Sequence, residues 1–148
     1  MDYRRFGNTI YIRVDRGEEL IGAILEVCRL ESVASATYSG IGGCRSAELQ
    51  VFNPGKGAFD TCSMEGMLEL VGFTGNVISD ASGRLCHHTH AIFALERDGE
   101  HRVQGGHLKS SVVHYTAEIE LRPVLGGAIR PKPNPETGTA FWDFGTSD

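Results

Sequence analysis

The sequence predicts an α+β domain, with one main helix packed on a mostly antiparallel sheet of about seven strands. Three observations carry that expectation. Only one stretch of the 148 residues, DRGEELIGAILEVCRL (15–30), repeats its apolar residues at helical spacing. Many short segments instead alternate apolar with polar residues, or run apolar between glycines. The connections between them are of hairpin length, which favours antiparallel pairing.

Taken in chain order, TIYIRV (9–14) sets Ile10, Ile12 and Val14 against Tyr11 and Arg13, the pattern of a half-buried strand. Asp15, with Glu18 three residues on, reads as an N-cap with a capping box. Leu20, Ile21, Ile24, Leu25 and Cys28 then form the apolar stripe of a helix packed on one face of the sheet. ASATYSG (34–40) and CRSAELQVF (44–52) read as strands on either side of Ile41-Gly42-Gly43. SGIGGCRSA (39–47) lacks the G-x-x-x-x-G-K-[ST] pattern of a phosphate loop and opens no helix, so a strand-to-strand turn is expected there.

MLELVGFTGNVIS (67–79) reads as a strand with a bulge or bend at Gly72 or Gly75. HTHAIFALE (88–96) is apolar on both faces, as a central strand would be. The Arg97-Asp98-Gly99 turn leads to a short strand around Val103 and then to GGHL. In VVHYTAEIELRPV (112–124), Val113, Tyr115, Ala117, Ile119 and Leu121 share one face, and His114, Thr116, Glu118 and Glu120 the other. Four of the five prolines lie from Pro123 onward, so residues 126–148 read as a Pro-rich extension of a domain spanning 1–125. Its AFWDF cluster (140–144) is either a clip onto the core or a neighbouring subunit, or a disordered end.

Composition narrows the function. The formal net charge is −5, and the fourteen Lys and Arg form no basic run, which disfavours direct binding to nucleic acid. No apolar run is long enough to span a bilayer and no signal-peptide pattern opens the chain, so a cytoplasmic protein away from membranes is expected. Cys28, Cys44, Cys62 and Cys86 include no C-x-x-C pair, and idle thiols are expected rather than disulfides.

The chemistry concentrates in CHHTHAIFALERDGEHRVQGGHL (86–108), which holds five of the six histidines. Strand alternation places His88 and His90 on one side and turns His87 to the other. His107 follows a hairpin-like reversal and a glycine pair, and can join them around one point. Three neutral imidazoles with an open fourth position make a zinc site, or one for another late first-row divalent metal. The competing reading has the same histidines hydrogen-bonded within the fold. His101 is expected in solvent, and His114 on the surface. A carboxylate near the site would be a ligand, an orienter or a general base. Glu69 and Glu118, each within an otherwise apolar strand, are the candidates.

The order H-x-H, D-G turn, G-G-H-L and V-x-x-Y-T-A-E-I, preceded by SGIGG, AELQVF and ELVGFTGNV, resembles the PPC (plants and prokaryotes conserved) domain over residues 7–123. The resemblance implies an α+β fold assembled as a homotrimer. In plants the domain accompanies AT-hooks and serves protein–protein assembly; free-standing prokaryotic members carry a DNA-binding label. The fold is also similar to that of acetolactate decarboxylase, whose catalytic zinc is held by three histidines. Carried over by position, the matching histidines are His88, His90 and His107. No R-G-R-P core is present, so the AT-hook is missing. Three functions follow as expectations: a trimeric regulatory module holding a metal or a small anion, with nucleic acid or a protein as partner; a metal-dependent lyase; or a direct DNA binder.

Overall fold

Backbone hydrogen bonding joins six strands into one antiparallel sheet and leaves two more as a separate hairpin. The computed structural model describes residues 1–136 and 138–145. In chain order these form β1 (Asp2–Phe6), β2 (Thr9–Asp15), α1 (Leu20–Leu30), β3 (Ser35–Asn53), β4 (Ala58–Ser79), β5 (Leu85–Arg97), β6 (Glu100–Pro123), β7 (Arg130–Asn134) and β8 (Thr139–Asp143). The α+β class holds, with eight strands rather than seven.

The sheet runs β1-β2-β6-β3-β4-β5, and a further pairing of β5 with β6 closes β3, β4, β5 and β6 into a ring. One edge of β6 carries β3 from His107 to Pro123. The other carries β5 up to His107 and then β2 from Thr116 to Leu121. Closure gives β3 a bonded neighbour on each side, while β1, bonded only to β2, remains an edge of the sheet. The core lies inside this ring and under α1, where Ile10, Ile12, Val14, Leu68, Leu70, Phe93 and Leu121 are buried.

Helix α1 packs against β6, β2 and β5. It buries Leu20, Ile21, Ile24 and Cys28 of the expected stripe, together with Ala23 and Val27, which the stripe did not include; Leu25 is only partly buried at its margin. Each large apolar side chain removed from water there contributes about 1.5–3 kcal/mol. The helix begins later than the capping box suggests. The Asp15 N–H does donate to the Glu18 carboxylate, but the N-cap is Glu19, whose side chain accepts from the Gly22 N–H. Its other oxygen accepts from the Ser111 N–H at 3.1 Å, tying the helix start to β6.

Glycine misleads at two places. SGIGG is no turn: it lies inside the continuous strand β3, with register shifts against its neighbours between Gly40 and Cys44. A Cβ on Gly42 would stand 2.6 Å from the Thr116 carbonyl oxygen, so these glycines serve close strand approach rather than reversal. Likewise GGHL interrupts nothing, and β6 runs unbroken through it. The predicted irregularity in 67–79 falls between Leu70 and Gly72. Tyr115 departs from the expected buried face and is 64% exposed. Between the pairs Gly42–Ala117 and Cys44–Val113, one residue of β3, Gly43, opposes three of β6, His114 to Thr116, and the resulting bulge breaks the alternation. β5 is central by pairing but apolar inward only: Thr89, Ala91 and Phe93 are buried, while His88, His90 and Ile92 are exposed. In the C-terminal segment, β7 pairs with β8 as a hairpin. All four cysteines are free thiols.

Candidate metal centre

The three histidines come together as the spacing predicts. The β5–β6 hairpin turns at Asp98-Gly99, both at positive φ, and its register places His90 directly opposite His107. His88 lies two residues from His90 on the same outward side. The His88 Nε2 stands 3.2 Å from the His107 Nδ1. The His90 Nε2 stands 3.2 Å from the His88 Nε2. All three ligand nitrogens lie within 4.8 Å of one another.

These separations fit a metal. Zinc–nitrogen bonds of ~2.0–2.1 Å in a tetrahedron set neighbouring nitrogens ~3.3 Å apart. The donor set is three imidazoles, suited to zinc and its late first-row neighbours. Burial, then the neighbouring His90, lowers the pKa of His88. Burial, then His90, His88 and Lys109, lowers that of His107. Both shifts favour the unprotonated ring that a metal requires.

A cavity of about 250 Å³ opens beside His88 and His107, lined also by Gln50, Phe59, His87, Thr89, Leu108 and Lys109. His87 points with Thr89 away from the His88/His90 side, as alternation demands, yet still borders this cavity. Its Nδ1 lies 3.0 Å from the Thr89 Oγ1, which in turn lies 2.5 Å from the buried Tyr38 hydroxyl. Burial lowers the pKa of His87, with Lys109 adding to the effect and Glu19 opposing it. Phe59 meets the His107 ring edge-on at 5.3 Å. Sequence reading passes over His87, Gln50, Phe59 and Lys109 as site residues, because the contacts that place them lie between strands. A signal for Lys109 exists only in its spacing of two from His107.

Glu69 and Glu118 lie elsewhere. Both are exposed, and together with Tyr115 and Thr116 they line a separate depression of about 470 Å³. His101 is exposed beyond the turn, and His114 packs on Tyr115 rather than on the cluster. No helix of the described residues is long and apolar enough to cross a membrane.

Residues 1–124 match the Plants and Prokaryotes Conserved (PCC) domain. A search of curated proteins finds no match. Among solved structures, the plant- and prokaryote-conserved (PPC) protein of Pyrococcus horikoshii is 31% identical, over 99% of this chain and 96% of that one, with a TM-score of 0.80. A metal-containing protein from Archaeoglobus fulgidus is 27% identical, over 96% of this chain and 98% of that one, with a TM-score of 0.79. A "putative dna binding protein" from Bacteroides thetaiotaomicron shares the fold at 24% identity and a TM-score of 0.84, over 97% of this chain and 96% of that one. The family match spans the whole six-stranded sheet and its helix, including the histidine hairpin, and the chain therefore belongs to the plants and prokaryotes conserved domain family.

Proposed function

We propose that this chain is a homotrimeric binding and regulatory module in which His88, His90 and His107 hold one divalent metal ion, with zinc the best fit. The observation that carries the reading is the pair of 3.2 Å nitrogen–nitrogen separations within the cluster. The metal-containing relative from Archaeoglobus fulgidus supports it. Bound there, the ion would supply a Lewis acid with a position open to a ligand. Metal analysis of protein purified without a histidine tag tests the reading. One equivalent of zinc per chain is expected; protein that is metal-free and ignores added zinc overturns it.

Self-association is supported by large apolar side chains left exposed, Ile41, Val71, Ile92, Val103 and Tyr115 among them. A cytoplasmic setting fits the free thiols. Association with DNA would run through a partner, since the net charge of −5 opposes direct contact with phosphates. A gel-shift series over salt should show no retention even at low salt.

The cavity beside the histidines favours a second reading, a metal-dependent enzyme of lyase type. Glu69 and Glu118 line another depression of the chain. In this reading they remain candidate proton carriers only if a neighbouring subunit brings them to the cavity.

A further inference from the structure

The lining of the histidine cavity has a consistent chemistry. Its polar groups are Lys109, Gln50, Thr89 and the imidazoles, and no carboxylate lines it among the described residues. Lys109 has no carboxylate partner among the described ion pairs. It is also the extra residue of a bulge. Leu49 faces Leu108 and Glu48 faces Ser110, so Lys109 has no opposite number on β3. Bulges often re-aim a side chain beside a binding site.

The hydrogen bonds behind the cavity assign a direction to His87. Tyr38 is 3% exposed, and the Thr89 oxygen is the acceptor its buried hydroxyl has. A buried O–H needs an acceptor, so Tyr38 donates to Thr89. The Thr89 proton is then free to go to the His87 Nδ1. That leaves the His87 proton on Nε2, as a donor for a molecule in the cavity.

We propose that this cavity binds a short-chain carboxylate, whose charge is held by Lys109 and whose oxygen accepts from the His87 Nε2–H. The inference deepens the metal-site reading, which adds a further positive group, but Lys109 and His87 do not depend on it. Phe59, half exposed, supplies apolar wall for a short carbon chain. The volume of about 250 Å³ falls below the ~300 Å³ at which sites for drug-sized ligands begin. A phosphate dianion fits less well, since the lining offers one fixed cation, no arginine fork and no helix N-terminus.

Isothermal titration of pyruvate into the untagged full chain, zinc-loaded and zinc-free, tests the proposal, with inorganic phosphate and uncharged ethyl pyruvate alongside. Saturable pyruvate binding is expected, weakened about tenfold or more by Lys109→Met and kept within about threefold by Lys109→Arg. Thr89→Val should weaken it as well, by releasing the His87 ring, with circular dichroism confirming the fold. Loss of affinity in Lys109→Met in either metal state supports the proposal. Absence of saturation in both states overturns it, as does indifference to Lys109→Met, or equal or tighter binding of phosphate or the ester. A chain that refuses zinc yet binds pyruvate through Lys109 sinks the metal reading alone.

Discussion

His88 is the residue on which the cluster turns, because it makes both short nitrogen contacts. Replacing it with alanine removes one of three ligands from an exposed site. His88→Ala is therefore expected to lose stoichiometric zinc while the metal-free protein keeps its melting temperature within a few degrees, as calorimetry and metal analysis can check. The opposite sensitivity belongs to two buried acids behind the site. Burial pushes the Cys28 thiol up to about 12 and the Tyr38 phenol up to about 12, from ordinary values of 9.0 and 10.0. Both are then protonated in the folded chain at pH values where the unfolded chain has lost those protons. Their contribution is intact below about pH 9 and declines as pH rises toward 12, by up to about 1.4 kcal/mol per pH unit for each group. Urea unfolding at pH 8, 9, 10 and 11 should show this fall, and Cys28→Ala should flatten its first part. At this scale the sequence was legible where alternation decides the geometry, as for His88, His90 and His107. It was silent on Lys109 and only half right on His87, because a bulge and a cavity wall depend on neighbouring strands that periodicity does not name.

Elements explain where the sequence reading slipped. The helix was legible because its apolar stripe fits only one period. Glycine was ambiguous, since both turns and closely packed strands require it. At Gly40 and Gly42 in β3 and at Gly75 in β4 the second use prevails. Gly75 shows it best: a Cβ there would lie 2.6 Å from the His88 carbonyl oxygen and 2.7 Å from the Tyr38 ring. Gly42 is similarly confined by the Thr116 carbonyl and the Ala117 backbone. Backbone cannot give way as a flexible side chain can, so Gly42→Ala and Gly75→Ala should each cost about 3 kcal/mol, on the order of 10 °C in Tm. Gly75→Ala should also disturb zinc uptake, because it displaces the strand that carries His88. A thermal melt within a degree or two of the parent protein would refute the close-approach account. β1 escaped notice for another reason: only Tyr3 of its five residues is even half-buried, so it leaves no apolar pattern to read.

For the whole molecule, the open question is what the C-terminal hairpin does for a sheet that is already closed without it. β7 and β8 pair only with each other, and the family match ends at residue 124. The hairpin meets the domain through the Ile129 N–H, which donates to the Ser35 hydroxyl at 3.1 Å, and through contact with β4. Losing one such hydrogen bond costs about 1 kcal/mol, a few degrees in Tm for a chain of this size. Yet the hairpin leaves Phe141, Trp142 and Phe144 exposed by 46%, 40% and 75%. Two short strands alone are marginally stable in water, and aromatic rings on them gain most when a second surface covers them. A chain ending at Leu125 is therefore expected to unfold cooperatively and keep its zinc. In sedimentation equilibrium it should dissociate at concentrations where the full chain stays associated. Equal association of the two chains would show that the aromatic hairpin takes no part in assembly.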